Sequence, residues 1–535
     1  MEMWLLRVSL LIPFLLALCC GVLPARADDA GETGWQDCRN APRRACLLDE
    51  ATRLLDLDER SDRRAMVVAA VAQVWAKAGE IDRAAQLAAQ LPDRMQVRIA
   101  VLREIAAAQQ RATHKAEAEA TFDQALQLAY PLKDKLARAE ALEAIAEAQA
   151  AVGLAAAADI TTDQALQAVL AVSIKGEPGR VTFPFAEQRA ARLLETIARR
   201  ELDAGDVGHA LRIARTIPYV ADARARALLA VAERQDKTSA DPDNLFDEAI
   251  AVLRNPEFDP TEWPSLSASG IVRRMEDRTA GPKALCDIAK AQARAGLVDK
   301  AVASFNDALE AARTLQPPAS PWPRERDIAT ALATVADAQQ QAGLPAAART
   351  SLQEARDVAT AITGDLHRVA ALARIAAVQV KLDGPSADPF GPALALAGLL
   401  PRERERVLAL QWIAEAEADA DQRDAAAHTF ATAVWLAGRD DHKTLTNIAE
   451  AQRRAGLIPE AAATFEKAIS AAMRSDEPAR KLALSGLING IARDRGSELI
   501  AAFPPLRQRL AEAVDAIDRA SRANMLATVA RVFPE

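Results

Sequence analysis

Three kinds of side chain in this sequence could do chemistry: cysteines, histidines and carboxylates. Cys38 and Cys46 stand eight positions apart around an Arg-Asn-Ala-Pro stretch. Such a pair can form a disulfide or supply two zinc ligands, and in an exported chain the disulfide is favoured. Cys286 has no partner at a comparable spacing, lies among apolar positions and is expected to be a small buried residue. The sequence therefore predicts one short-range disulfide and no reactive thiol.

The other candidate groups form no catalytic pattern. There is no Gly-rich phosphate loop, no His-Glu-x-x-His motif and no Gly-x-Ser-x-Gly turn. The histidines occur singly, without a further ligand at a metal-binding spacing: His114, His209, His367, His428 and His442. Carboxylates are so abundant that a pair at glycosidase distance would arise by chance. We therefore predict no catalytic residue, no metal and no cofactor.

Composition sets the fold class and excludes some partners. Aromatic residues make up only 4% of the 535 residues, and Ala, Leu, Glu, Gln and Arg dominate, so helix is favoured throughout and sheet-based folds are disfavoured. The net charge is −8 and no basic block occurs. Because phosphate binding needs clustered Lys and Arg, nucleic acid is not expected as a partner.

The N-terminus has the features of a secretory signal peptide. Arg7 precedes an apolar run over 8–23, and Ala25-Arg26-Ala27 provides a small-residue cleavage site. The run of about 16 residues is shorter than the roughly 20 that span a bilayer. We predict that residues 1–27 are removed after Ala27, which leaves a periplasmic or secreted protein with no stable membrane insertion. A retained anchor is the alternative, and a lipoprotein signal is less favoured because Leu18 precedes the first cysteine of the segment.

An internal repeat organises the rest of the chain. An Ile/Val-Ala pair recurs at intervals that mostly fall near 34 to 40 residues, which is typical of helix-pair arrays. Each copy begins at one of these residues: Val71, Ile105, Ile145, Ile197, Val231, Ile288, Val335, Ile375, Ile413, Ile448, Ile491 and Val529. We call this apolar residue position 0 of the copy. Gly follows at position +8 in six copies, where it can end a helix in the left-handed conformation.

The offsets within a copy resemble the tetratricopeptide repeat. The family has, in order, a large apolar residue, a small neighbour, Gly, Ala, an aromatic residue and a second Ala. The copy that starts at Ile288 fills these positions with Ile288, Ala289, Gly296, Ala301, Phe305 and Ala308. The resemblance covers most of residues 60–535. It implies an all-α, right-handed solenoid of about a dozen stacked antiparallel helix pairs, and a protein-binding scaffold. It departs from the family at +4, where Gln replaces an aromatic residue in most copies. This Gln is expected to make an inter-helix hydrogen bond, and a Gln ladder that recognises a backbone is the alternative.

The resemblance also places one row of residues on the concave surface. In tetratricopeptide-like pairs, position +2 faces the inner groove, and acidic residues outnumber basic ones there in the middle of the array. The predicted partner-binding residues are Glu147, Glu233, Lys290, Asp337, Glu415 and Glu450. A mildly acidic groove would favour a basic or extended peptide, whereas a solvated mixed surface without a ligand is the alternative.

Breaks in the repeat suggest the domain boundaries. We predict a signal peptide over 1–27, an N-terminal cap over 28–60, repeats over 61–236 and 283–535, and a Pro-rich insertion over 237–282. The cap is expected to hold the disulfide and a helix from Cys46 to Leu57, and the insertion one short helix from Asn244 to Leu253. A shorter loop rich in Gly and Pro is expected over 173–185. The insertion carries Phe258 and Trp263, which either fill the space between two sub-arrays or contact a partner.

The sequence thus predicts an exported, non-catalytic scaffold that holds a protein or peptide partner in the cell envelope. The alternatives are an envelope enzyme that acts on polysaccharide and a structural subunit of an envelope complex.

Overall fold

A computed structural model describes residues 35–55, 61–92, 96–172, 184–217, 221–234, 242–253, 280–315, 323–384 and 388–533. Within these ranges the backbone is helical apart from turns and short connections, and no strand occurs in them. The predicted signal peptide, residues 173–183 of the loop expected over 173–185, and Phe258 and Trp263 lie outside the described residues. The last two residues of that loop are instead the start of a helix. No described helix is long and apolar enough to cross a membrane.

The helices form pairs, and we call the first member of each pair helix A and the second helix B. The helices A are α2 Ser61–Lys77, α4 Gln96–Arg111, α6 Lys135–Ala151, α8 Pro184–Ala204, α10 Ala221–Arg234, α12 Ala280–Arg294, α14 Arg324–Gln341, α16 Asp365–Asp383, α18 Glu403–Asp419, α20 His442–Arg454, α22 Ala479–Ile491 and α25 Arg519–Ala530. The helices B are α3 Ile81–Ala88, α5 Lys115–Ala129, α7 Ala155–Leu170, α9 Val207–Thr216, α11 Pro242–Leu253, α13 Val298–Arg313, α15 Pro345–Thr360, α17 Gly391–Leu399, α19 Arg423–Ala437, α21 Ile458–Met473, the short α23 Gly496–Ala502 with α24 Pro504–Asp515, and α1 Arg44–Leu55.

The position-0 residue of every copy lies in a helix A, and in eight copies the turn expected at +8 follows. The glycines there have φ between +77° and +91°, so the chain leaves helix A in the left-handed region. Two copies have a side chain in the same slot and keep the conformation, Thr113 at φ 67° and Asp421 at φ 59°. This shared turn makes the two helices of a pair antiparallel and close-packed.

Several helices B are held by one large side chain set among alanines. Phe305 is 1% exposed, and Ala301 and Ala308, one turn before it and one turn after it, are fully buried. Phe465 of α21 is fully buried in the same arrangement. Small residues let the two backbones approach, and the ring fills the space between them. The pair cannot bury its apolar surface alone, so pairs stack.

Stacking continues until the array closes on itself. Every helix A packs against the next one along the chain, and α25 packs against α2. The helices B pack on the helix A of the following pair, and apart from α21, which also contacts α23 and α24, they do not pack closely on one another. In a ring the inner layer has the shorter circumference, so the mutually contacting helices A form the inner layer. The solenoid is therefore a closed ring of twelve pairs in the described part of the chain.

The two ends of the chain make the twelfth pair together. Helix α25 comes from the C-terminal end, and its helix B is α1, from the N-terminal end. Helix α1 also packs on α2, as each helix B packs on the next helix A. One apolar core joins Leu47 and Leu48 of α1 to Leu526 of α25 and to Phe533 just after it. We call this junction, between residues 35–55 and residues 504–533, the seam.

The insertion over 237–282 does not interrupt the array. Its described part contains α11, which starts two residues before the expected Asn244. Helix α10 packs directly on α12 on the far side of the insertion, and Leu228, Phe246 and Leu285 belong to one apolar core. The ring therefore continues past residues 254–279, which are not described.

Candidate functional site

Position +2 of several repeats, where the predicted partner-binding row lies, is also where successive repeats exchange ion pairs. Glu233 of α10 pairs with Arg294 of α12. Asp337 of α14 lies 3.3 Å from Nζ of Lys381 in α16, and Glu415 of α18 lies 2.5 Å from Arg454 in α20. Each of these cations stands at +6 of the following repeat. Three carboxylates of the row thus bind the neighbouring repeat.

The remaining members of the row differ from these three. Lys290 pairs with Asp287 on its own helix at 2.9 Å, and Glu450 pairs with Arg453 on its own helix. Glu147 of α6 is exposed. Binding of a partner along the row stays a prediction, and Glu147 is the member best placed to make such a contact.

The ion pairs are most extensive between α14, α16 and α18. Arg374 and Lys381 of α16 each contact both Asp337 and Asp419, so one helix bridges its two neighbours. Burial alone would raise the pKa of Asp419, but Arg374 and Lys381 together hold it below the ordinary aspartate value. This network links three consecutive pairs.

A more deeply buried pair joins α6 to α8. Arg200 donates to both carboxylate oxygens of Glu143, and its Nη1 also donates to Thr162 of α7 at 2.8 Å. Burial raises the pKa of Glu143 to about 7, and Arg200 opposes that shift without cancelling it. The carboxyl group thus changes charge near neutral pH, which makes this contact sensitive to pH.

Two of the glutamines at +4 make the hydrogen bond expected of them. Ser304 of α13 donates to Oε1 of Gln292 at 2.7 Å, and Ser351 of α15 donates to Oε1 of Gln339 at 2.8 Å. Both glutamines are buried. The inter-helix bond that was expected to replace the family's aromatic residue is therefore confirmed in these two pairs.

The hydroxyl partner of that bond is a residue that the sequence analysis missed. A buried Ser or Thr stands at +16 in six repeats, twelve positions after the +4 residue: Thr121, Thr161, Ser304, Ser351, Thr429 and Thr464. This recurrence is visible in the sequence once the copies are aligned at position 0. The copy that starts at Ile197, which we call repeat four, lacks this hydroxyl. Ile213 stands at +16 of repeat four, and Glu201 replaces the glutamine at +4.

Repeat four instead brings together Glu201, Asp206 and His209. Their ligand-type atoms lie within 4.8 Å of one another, a cluster that the sequence spacing did not suggest. His209 Nδ1 lies 2.9 Å from Glu201 Oε2, and Asp206 Oδ1 accepts the backbone N–H of His209 at 2.7 Å as the cap of α9. The positive N-terminus of α9 disfavours a further cation here. We interpret the cluster as the local substitute for the Gln–hydroxyl bond.

The cysteines lie as the sequence predicts. Cys38 and Cys46 are disulfide-bonded, with their Cα atoms 5.8 Å apart. Cys286 is 2% exposed, and burial raises the pKa of its thiol to about 12, so it remains a protonated packing residue.

The seam carries a dense set of polar contacts. Trp35 Nε1 donates to Asp515 Oδ1 at 3.0 Å, and Arg39 donates to Asp515 Oδ2 at 2.9 Å. Arg44 at the start of α1 donates to the carbonyl oxygen of Phe533 at 2.7 Å. An open, polar cleft of about 360 Å³ lies here between the N-terminal segment and α24; its lining includes Arg39, Gln508, Glu512 and Asp515.

Comparisons with known proteins assign no family to this chain. No family model matches it, and no curated protein matches it. Among solved structures, it is similar to a circular tandem repeat protein with a novel repeat topology, at 12% identity and a TM-score of 0.17, over 92% of this chain and 94% of that one. It is also similar to yeast Tom70, at 13% identity and a TM-score of 0.19, over 87% and 96% of the two chains. A complex of Naa15 and Naa10 bound to HypK gives 14% identity and a TM-score of 0.19, over 91% and 96%. With TM-scores this low, the fold assignment rests on the helices of this chain itself.

Proposed function

We propose that the protein is an exported, non-catalytic scaffold that binds a protein or peptide partner in the cell envelope. The observation that carries this proposal is the closed ring of helix pairs. Its buried glutamines bond the two helices of a pair, and many of its inner charges pair one repeat with the next. The result is a framework with fixed spacing. Such a framework suits the display of a binding surface to another chain.

The binding surface in this proposal is the inner layer around α6. Glu147 is exposed there, and Glu140 of the same helix is only partly covered by its pair with Arg189. The carboxylate of Glu143 lies beneath them and is buried. A surface of this charge favours a basic segment of the partner.

Export is supported by two features of the sequence and the fold. The first 27 residues read as a signal peptide, and the disulfide between Cys38 and Cys46 suits an oxidising compartment. The periplasm or the extracellular space is therefore the proposed location, with Asp28 as the first residue of the mature chain.

Affinity capture from the native envelope tests the proposal. Wild-type bait should recover a specific protein, and Glu147→Lys should reduce its recovery by roughly ten-fold, because a charge reversal in the contact replaces attraction by repulsion. Recovery is measured by quantitative mass spectrometry, and the same preparation shows whether the bait begins at Asp28.

Glu119→Lys is the matched control. Glu119 is exposed on α5, a helix B of the outer layer, so this variant makes the same change in net charge away from the inner layer. Equal recovery of the partner by all three baits would place binding elsewhere on the ring. A wild-type bait that enriches no protein over a resin without bait would contradict the scaffold itself.

A further inference from the structure

The seam differs from every other junction of the ring in how its helices are connected. In pairs such as α14 and α15, helix A and helix B are joined by a tight turn of a few residues. Helix α1 and helix α25 are instead brought together from opposite ends of the chain, and the hydrogen bond from Trp35 to Asp515 spans 480 positions. Closure therefore depends on side-chain contacts alone, without help from a short connection.

Two separate sets of contacts hold the N-terminal segment in place. Helix α1 buries an apolar stripe that includes Leu47, Leu48 and Ala51. The helical turn over 35–40 makes the second set of contacts. Trp35 is only 8% exposed, and both Trp35 and Arg39 donate hydrogen bonds to the carboxylate of Asp515.

The disulfide lies between these two sets. Cys38 belongs to the turn and Cys46 to α1, so the bond fixes the turn against the start of the helix. Without it, the connection between them is the short backbone segment over 41–43. Each set would then dock with more freedom, because a cross-link removes alternative arrangements of the loop that it closes.

We propose that residues 35–55 form a redox-sensitive clasp, in which the disulfide between Cys38 and Cys46 keeps the ring closed. A dithiol reductant supplies two electrons and two protons, which break the Sγ–Sγ bond and leave two thiols while the reductant becomes a disulfide. In the reduced state the turn over 35–40 leaves Asp515, and contact between α1 and α25 weakens. The ring is thereby tied to the redox state of its compartment.

Hydrogen–deuterium exchange on the purified chain, oxidised and reduced, tests the clasp. Reduction should raise the exchange rates of backbone amides in residues 35–46, α1 and α25 by on the order of ten-fold or more, the effect of losing a cross-link over a nine-residue loop. Amides of α15, on the far side of the ring, should exchange at the same rate in both states. Cys286 is buried with its thiol protonated, so the reductant acts on the one disulfide of the described residues.

Two variants separate the clasp from general destabilisation. Asp515→Ala in the oxidised chain removes the acceptor of Trp35 and Arg39 and should reproduce the effect of reduction at α1 and α25. Glu415→Ala removes an ion pair between two repeats that are joined through the chain, and should change exchange only near α18 and α20.

Three outcomes would overturn the proposal. Exchange at α1 and α25 that is unaffected by both reduction and Asp515→Ala would show that the segment does not act as a clasp. An equal rise in α15 would show that the disulfide stabilises the whole ring. A further response to reductant in the Cys38→Ser, Cys46→Ser double variant would show that the reductant acts elsewhere.

Discussion

At the scale of single residues, Glu143 is a group whose charge depends strongly on the fold. Its pKa is raised by burial to about 7, against 4.5 as the ordinary value. The folded state therefore binds a proton that the unfolded chain releases between these two values. Stability from this group is present in full at low pH and is lost as the pH rises through about 7.

Glu143→Gln should remove this dependence, because the amide does not titrate. We expect the free energy of unfolding of the wild type, minus that of the variant, to fall between about pH 5 and about pH 8. Urea unfolding followed by circular dichroism at several pH values measures the difference. Glu140→Gln is the control, since Glu140 joins the same two helices through Arg189 but is more exposed. A difference for Glu143→Gln that stays constant across this range would contradict the raised pKa.

The sequence revealed half of each polar contact. The glutamines at +4 stood out because they replace an aromatic residue, yet their hydroxyl partners at +16 are on the other helix and were not aligned with them. The carboxylates at +2 were likewise visible, whereas Arg294, Lys381 and Arg454 are partners from the next repeat. Because the repeats vary in length, these partners have no constant separation in sequence. An apparently free acidic row therefore contains residues that bind their neighbours.

At the scale of the helix pair, the turn at +8 is set by backbone conformation and not by packing. Gly343 has φ 77°, and a Cβ atom added there would meet no atom within 4 Å. Gly343→Ala should therefore destabilise the protein by about 1–2 kcal/mol, which is the cost of the left-handed region for a residue with a side chain. Urea unfolding measures this loss.

Position +8 of another repeat allows the reverse substitution, from a residue with a side chain to glycine. Thr113 already carries a side chain in the left-handed region, at φ 67°. Thr113→Gly relieves that strain at the same position of another repeat and should stabilise the protein or leave it unchanged. Destabilisation by both substitutions would contradict a purely conformational role for this turn.

Helices could be predicted closely because both their apolar spacing and their ends are local features. The expected helix over Cys46 to Leu57 is found at Arg44–Leu55, and the one expected at Asn244 to Leu253 begins two residues earlier. The marks at 0, +8, +13 and +17 each describe one helix or one turn. They therefore identify the pairs correctly without fixing how far the stack turns from pair to pair.

At the scale of the whole molecule, ring closure was not predicted. Curvature is the sum of small rotations between pairs, and these depend on contacts such as those of Arg374 with Asp337 and Asp419, which no local pattern displays. One signal was present: the Val529 copy ends the series, while the helix at Arg44–Leu55 precedes the first copy without a helix A of its own. Each end of the described chain holds half of a pair.

A composite last pair also decides the order of folding events. Contacts within and between neighbouring pairs are short in sequence and form early, whereas the seam joins residues almost 500 positions apart and must wait for the arc between them. Pulse-labelling during refolding should therefore find α1 and α25 protected last.

A circular permutant would move that late step. With residues 533 and 35 joined by a flexible linker and the backbone opened between Leu315 and Pro323, the helices beside the new opening should become the last to gain protection, and α1 should become an early one. Late protection of α1 in both chains would contradict this. In such a ring every pair has the same kind of neighbours, so which of them assembles last is a matter of where the polypeptide is interrupted and not of any special property of the residues there.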